Sequence, residues 1–499
     1  TMLAADPMTI LLSAFICLLL GFVLFGRKRN VCQNFPPGPR PLPVIGNLLL
    51  MDRKQPYKAL LKLSKKYGSV FSVRVGPQKM VVLCGYDTVK DALLNYPDEF
   101  ADRPALPLFD EVAKGHGKTS SGILSSNGEN WRVMRRFALS TLRDFGMGKK
   151  TIESKINEEC DHLVQKFSSY GGKPFDTTMI MNAAVANIIA SILLSHRFQY
   201  ENPTLLRLLK LVNENTKSKV FSLPMLYNTF PSIMRWIPGC HKSIYKNAQE
   251  LLEFIRETFS KQKVELDIND QRNLIDAFLS RQQEPNSGKY FHDDNLTILV
   301  FDLFVAGMET TSTTLRWALL LMMKYPEIQK KVQDEIEKVI GSAEPRAEHR
   351  KEMPYTDAVI HEIQRFANIF PMNGPHATTK DVTFRGFLIP KGTFVIPLLA
   401  SVLKDENYFK KPNEFYPEHF LDSEGHFVKN DAFLPFSAGK LGRRSCAGEN
   451  LARMELFLFF TSLLQNFTFQ APPGEELDLT PDVGIATPPM PHTVCALPR

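Results

Sequence analysis

The most chemically pointed stretch of the chain is Gly442-Arg443-Arg444-Ser445-Cys446-Ala447-Gly448, which runs straight into Glu449-Asn450-Leu451-Ala452. The first part is a basic loop rich in glycine. The second has no Gly or Pro before Pro472 and reads as a largely apolar helix. Cys446 therefore falls at a loop-to-helix junction. A thiol there meets the positive end of the helix dipole and nearby guanidinium groups, and both favour thiolate. Gly448 lets the backbone approach something flat or bulky. Together these features suit an iron ligand inside an anionic cofactor. The cysteine taken alone reads as readily as a small buried residue behind a basic loop.

Three other groupings could do chemistry. Trp131 and Arg135 are four apart on a helix, so an indole N–H and a guanidinium share one face and can both donate to a carboxylate. A surface stack of the two is the plainer reading. In the middle of the long apolar run Asp293–Lys324 stands Ala306-Gly307-Met308-Glu309-Thr310-Thr311. A glycine and a buried acid beside a hydroxyl break the local rules of a core helix, which points to a site. A Thr bonding back to the carbonyl four residues earlier would leave the same trace. Glu362 and Arg365 form an i,i+3 pair flanked by Ile360, Ile363 and Phe366.

Gly442-x-Arg444-x-Cys446-x-Gly448 resembles the haem-binding loop Phe-x-x-Gly-x-Arg-x-Cys-x-Gly of the cytochrome P450 family, and of its microsomal branch in particular. The front half departs from it. Phe436-Ser437-Ala438-Gly439 comes three residues early, as if three residues were inserted before Arg443. The resemblance implies that Cys446 ligates the iron of haem b. It further implies that Arg444, Trp131, Arg135, Arg103 (in Phe100-Ala-Asp-Arg103-Pro) and His376 (in Gly374-Pro-His376) hold the cofactor, mostly through its propionates. It places Glu309 and Thr310 over the distal face, where the helix opens and the hydroxyl helps deliver protons during dioxygen activation. It makes Glu362, Arg365 and His419 a structural lock behind the haem. It lines the substrate cavity with 105–116, the region after Leu205, 301–306, 369–374 and 485–487.

These residues need a large frame. The chain has 499 residues, 36 Phe and 3 Trp, enough for a sizeable apolar core or pocket. The net charge of +7 is mild and the basic residues are dispersed, which does not point to nucleic acid. The 7 cysteines show no paired spacing, as in a reducing compartment. Met8 to Phe25 is apolar and uncharged, about 27 Å as a helix, and is followed by Arg27-Lys28-Arg29. That reads as a transmembrane anchor with the bulk of the chain in the cytosol. A cleaved signal peptide is the alternative. Phe35–Pro43 carries five prolines and is a stiff spacer.

Beyond it, residues 57–68 read as a helix, and 70–76 and 79–83 as a hairpin turning at Gly76-Pro77. From 151 to about 340 the pattern is almost wholly helical, with breaks at 171–172 and 221–239. Strand pieces return at 383–389 and 393–396. The expected architecture is mainly α with small β-sheets: a cytochrome P450-like fold with haem between a long distal helix and a proximal Cys loop, plus an N-terminal transmembrane helix. The expected parts are 1–26 anchor, 27–43 basic and proline-rich linker, and 44–499 haem-binding catalytic domain.

The expected activity is a monooxygenase that places one oxygen atom of dioxygen into a lipophilic substrate, whether fatty acid, steroid or xenobiotic. No Gly-x-Gly-x-x-Gly or Walker loop is present, so electrons from NADPH must come through a partner. The resemblance names that partner as NADPH-cytochrome P450 reductase, with cytochrome b5 as a second donor, and places the chain on the endoplasmic reticulum membrane. Arg132, Arg135, Arg136, Arg143, Lys149, Lys150, Lys440 and Arg443 would form the basic docking face. A reductase-independent haem-thiolate isomerase or dehydratase, and a non-catalytic haem carrier or sensor, are the other readings of the same motifs.

Overall fold

The structure is a computed structural model and describes residues 34–52, 54–113, 121–145, 150–217, 223–285, 287–438, 442–484 and 486–499. The expected anchor, the start of the linker, Lys149 and Lys440 lie outside the described residues. Helices dominate, as composition and periodicity imply. Six of them carry the site: α1 (Gly128–Asp144), α2 (Thr178–Leu194), α3 (Pro203–Thr216), α4 (Asp293–Lys324), α5 (Pro354–Ala367) and α6 (Glu449–Asn466).

α4 has the bounds that the sequence predicts. His292 caps it by accepting from the Asn295 amide, Asp293 and Asp294 sit at the positive end, and Lys324 sits at the negative end ahead of Pro326. It is the one described helix long and apolar enough to cross a membrane, but it is buried in the protein's interior. α2 lies along it and is apolar nearly all round. The two backbones come close because position 307 is glycine: a Cβ there would stand 2.6 Å from Ile189 Cδ1. The sequence reading of Gly307 as a mark of function is thus corrected. Its absent side chain serves helix packing.

The sheets are small. β1 (Val70–Val75) and β2 (Gln78–Leu83) form the expected hairpin, with Gly76 at φ 56° in the turn. The segment expected as one strand at 383–389 is itself a hairpin of β4 (Val382–Phe384) and β5 (Phe387–Ile389). Arg385 and Gly386 turn it, both at positive φ. β6 (Phe394–Pro397) runs parallel to β2 and antiparallel to β3 (His376–Ala377), giving the order β1-β2-β6-β3. This sheet fixes His376. β7 (Phe467–Gln470) follows α6 directly and pairs with β8 (Cys495–Pro498). The expected irregular break at 221–239 contains two short helices, Leu223–Thr229 and Pro231–Met234.

One large apolar core joins α1, α2, α4, α5 and α6, and two smaller cores lie against the β1–β2 sheet. The lock expected at Glu362 is present. Arg365 donates to both Glu362 oxygens at 2.7 Å, and both side chains are fully buried. The Arg365 fork also reaches the carbonyls of Leu403, Pro412 and Glu414. Glu362 accepts from the Tyr416 amide at 2.8 Å and meets His419 Nδ1 at 3.1 Å. Every lone pair and proton of this buried pair is thereby used, which is the condition for such a pair to be tolerated.

Candidate active site

Cys446 sits two residues before the N-cap of α6. Its amide donates to the Phe436 carbonyl at 3.2 Å, which closes the loop across the motif. The residue is accessible by area, yet protein atoms crowd the sulfur. That crowding raises the thiol above its usual range. The Gly448 amide and Arg135 pull it down, Glu449 adds to the rise, and burial wins. Of the nearby guanidiniums expected to favour thiolate, Arg135 does so and the loop's own arginines do not. Arg443 turns away to Asp98 at 2.8 Å, and Arg444 points elsewhere. Arg135 is the one arginine acting on the sulfur, and burial outweighs it; a coordinating metal would deprotonate the thiol outright.

The expected cofactor-holding residues converge. Arg444 lies over the Trp131 ring at 3.9 Å, with Arg135 at 5.9 Å from the same ring. Arg444 donates to the Ala101 carbonyl at 2.6 Å, the Ser126 carbonyl at 2.8 Å and Asn127 Oδ1 at 2.9 Å. Arg135 donates to the Ser445 carbonyl at 2.6 Å, which ties α1 to the cysteine loop. Arg103 donates to the carbonyls of Gly374 at 2.9 Å and Pro375 at 2.6 Å, beside His376. Burial, and after it the neighbouring guanidinium, pulls Arg103 down to about 10 and Arg444 to about 8. Among the described residues, Asp102 is the carboxylate acting on this group, and it acts on Arg444.

Two buried nitrogens in this cluster, Trp131 Nε1 and His376 Nε2, have no partner. A buried surplus of positive charge with an orphaned donor fits a dianionic cofactor. The residues present therefore fit haem, its carboxylates at the guanidiniums and its iron at Cys446. His376 needs one qualification of its role. Its Nδ1 faces the Phe100 carbonyl at 2.6 Å and must donate to it. The neutral ring then offers a lone pair at Nε2, not a proton. Burial, Arg103 and Arg444 hold His376 down at about 3. It can meet a carboxylate only as imidazolium, and an anion offsetting those arginines is what would favour that form.

On the other side, Thr310, Thr311 and Thr314 of α4 line a small cleft. Ile369, Phe370, Phe436, Ala452 and Leu456 line it with them. The expected distal threonine and the cysteine loop's phenylalanine thus share one space. α4 does not open there. It is continuous, and Thr310 Oγ1 donates to the Ala306 carbonyl at 2.9 Å. Glu309 does not join Thr310 at the cleft, because successive helical residues point about 100° apart. It faces Thr216 of α3, Thr313 and Arg316, and burial pushes it up to about 6 against the pull of Arg316.

Two residues escaped the sequence reading. Asp302 is buried in α4, and its Oδ2 accepts from the Ile123 amide at 2.8 Å and the Leu124 amide at 2.9 Å. It so fixes the loop whose carbonyls hold Arg444 and Arg103. Gly122 makes room for it, with φ 76° and the Asp302 carboxylate where a Cβ would stand. The signal was a lone acid in Leu299-Val-Phe-Asp302-Leu-Phe304. Glu455 of α6 accepts from Thr311 Oγ1 at 3.1 Å, and burial pushes it up to about 8. Nothing in the sequence pairs these two.

The family model described as Cytochrome P450 matches residues 36–496. The chain is 50% identical to Cytochrome P450 2K4 of Oncorhynchus mykiss over 497 residues, covering 96% of this chain and 97% of that one. It is 46% identical to Cytochrome P450 2C5 of Oryctolagus cuniculus, covering 99% of this chain and 100% of the relative. It is also 46% identical to Cytochrome P450 2B19 of Mus musculus, with 95% and 96% covered. A cysteine loop, a basic cradle and a distal helix in one arrangement, matched along nearly the whole length, identify the chain as a member of the cytochrome P450 family and a haem-thiolate monooxygenase.

Proposed function

We propose that Cys446 is the axial ligand, that Trp131, Arg135, Arg103, Arg444 and His376 hold the propionates, and that Thr310 manages protons over the distal face. The convergence of three guanidiniums, buried Arg444 and half-buried Arg103 and Arg135, around two orphaned nitrogens carries the reading. Bound haem supplies electron acceptance and dioxygen activation. The chain supplies the rest. The guanidiniums orient the cofactor. Ile369, Phe370 and Leu456 keep the cleft apolar, which suits lipophilic substrates. Thr310 Oγ1, parked on the Ala306 carbonyl, can rotate to donate its proton into the cleft.

The electron donor is an acidic reductase docking on the basic face, with cytochrome b5 as a second donor. Arg132 and Arg443 are exposed there, though Glu129 and Asp98 each neutralise one of them in part. An N-terminal anchor holds the chain to the endoplasmic reticulum, helped by an apolar tip at Ile233, Trp236 (80% exposed) and Ile237. Removing residues 1–26 should then weaken, but not abolish, vesicle binding. The test of the site is Cys446→Ser. The thiolate-type spectrum of the reduced CO complex and the NADPH-dependent oxidation should both vanish. Their survival would place the iron ligand elsewhere.

A further inference from the structure

We propose that His361 is a positioning residue for the cysteine side of the site: through Arg453 it fixes Phe436 and Glu449 beside Cys446, and so sets the reduction potential of the bound iron. The inference rests on the reading of Cys446 as the axial ligand given above.

His361 stands one residue before Glu362 on α5. It is buried, at 5% exposure, yet the lock is built by Glu362, Arg365 and His419 without it. Its ring is wedged among Phe420, Phe427 and Phe433, with centroids 5.3, 4.7 and 4.7 Å away. Apolar packing accounts for the ring but not for its two nitrogens. Nδ1 faces two acceptors, the Asp357 carbonyl at 2.7 Å and the Asp357 carboxylate at 3.2 Å, so it carries the proton. Nε2 lies 3.3 Å from Arg453 Nη1, which can only donate. The neutral ring protonated at Nδ1 is the one form that satisfies both ends. Burial, helped by Arg350, outweighs Asp357 and holds the ring below its ordinary range, in agreement with that form.

The groups make an alternating chain. Arg350 Nε donates to Asp357 Oδ1 at 2.7 Å. Asp357 accepts from His361, and His361 accepts from Arg453. Arg453 Nε then donates to Glu449 Oε1 at 3.0 Å. At Arg453 the chain meets the site. Its guanidinium lies 5.1 Å from the centre of the Phe436 ring, and the Phe436 carbonyl takes the Cys446 amide at 3.2 Å. Glu449 is three residues past Cys446, and its charge opposes a negative sulfur.

Arg453 is half-buried, and a long side chain there keeps one geometry only if its donors are held. Glu449 holds Nε and His361 holds Nη1. Two anchors on one planar fork stop it from turning or swinging into solvent. Reduction adds negative charge to the thiolate-bound iron. A guanidinium fixed nearby favours the reduced form, and an uncovered Glu449 carboxylate opposes it.

The test is the reduction potential of the haem-loaded full chain, titrated against dyes with no reductase present, so that docking plays no part. His361→Asn keeps a donor toward Asp357 but is too short to reach Arg453. His361→Gln returns an acceptor near the place of Nε2. The asparagine variant should be harder to reduce: its reduced-to-oxidised ratio at the wild-type midpoint should fall about three- to tenfold, which is about 28 to 59 mV at about 59 mV per decade for one electron. The glutamine variant should return close to wild type. Arg453→Gln should shift the potential in the same direction, and adding His361→Asn to it should change nothing further. All variants should keep the thiolate-type spectrum of the reduced CO complex. A wild-type potential in His361→Asn, an equal shift in the asparagine and glutamine variants, or a shift that adds to that of Arg453→Gln would each overturn the proposal while leaving Cys446 as the ligand. If the wild type itself lacks the thiolate-type spectrum, the reading of Cys446 falls and this inference with it. If His361→Asn does not hold haem, Arg453→Gln must shift the potential and His361→Gln must not, and any other pairing overturns the proposal.

Discussion

Asp302→Asn separates two things the carboxyl could supply, a charge and a shape. Burial pushes Asp302 up from 3.8 to about 7, even though two amides favour its ionised form. The folded state therefore holds a proton that the unfolded chain has already released. The stabilisation this gives is complete below the unfolded value and is lost as pH rises toward about 7. The shift amounts to about 4 kcal/mol across that window. An asparagine does not titrate, and its amide oxygen can accept the same two N–H groups that Oδ2 accepts now. Wild type and variant should then converge near neutrality or cross. From about pH 4.5 to 7.5 the variant should gain about 3 kcal/mol on the wild type. Urea unfolding at fixed ionic strength, followed by haem absorbance, measures this. Parallel stability curves would show that Asp302 is not the proton holder. An asparagine variant that sheds haem at neutral pH would show that the charge itself holds the 121–126 loop. Asp302→Ala strips both amides and should cost about 1–3 kcal/mol for each one left bare.

Two further perturbations test the frame. Glu362→Ala leaves Arg365 charged and fully buried without its partner, a loss of about 3–5 kcal/mol. Little haem-loaded protein should be recovered, and a normal yield would mean the lock is dispensable. Gly307→Ala places a methyl 2.6 Å from Ile189 Cδ1. The helix gains about 1 kcal/mol while overpacking costs about 1–3 kcal/mol. The thermal midpoint should fall slightly, with product per NADPH unchanged. Lost coupling at an unchanged midpoint would restore a functional reading of this glycine.

What was legible in the chain was what local chemistry decides. The ends of α4 were readable because acids, a lysine and Pro326 punctuate them. The β1–β2 hairpin was readable because a glycine turns it and alternation marks its strands. Trp131, Arg135, Arg103, His376 and Arg444 could be gathered only through the resemblance, since contacts such as Arg103–Gly374, His376–Phe100, Arg135–Ser445 and Arg444–Ala101 span 271 to 343 residues. Directions were beyond sequence. Whether Arg444 faces the sulfur or Trp131, and whether Glu309 faces the cleft or Arg316, depends on neighbours from other helices. Gly307 misled for the same reason: a glycine that serves a close helix approach and one that serves a ligand look alike until the neighbour is seen.

The departure in the haem loop can be argued from its two ends. Ala438 and Gly442 touch: a Cβ on Gly442 would stand 2.7 Å from the Ala438 Cβ. Gly439, Lys440 and Leu441, between these two ends, lie outside the described residues. Just inside, the Cys446 amide holds the Phe436 carbonyl at 3.2 Å, and Phe436 reaches the cleft shared with Thr310. Phe436 thus reaches the cleft from a position three residues early, which supports an insertion accommodated between the two halves of the motif. Arg453 covers the Phe436 ring at 5.1 Å and helps hold it there. Removing the extra residues gives Phe-Ser-Ala-Gly-Arg-Arg-Ser-Cys whichever glycine is kept, because deleting 439–441 or 440–442 leaves the same chain. That product has the family spacing. The deletion should retain haem as well as the full chain or better, measured by the Soret absorbance per protein and its decay on dilution. Loss of haem on deletion would mean that these three residues form part of this protein's own cradle, and that Phe436 does not take the motif's usual place.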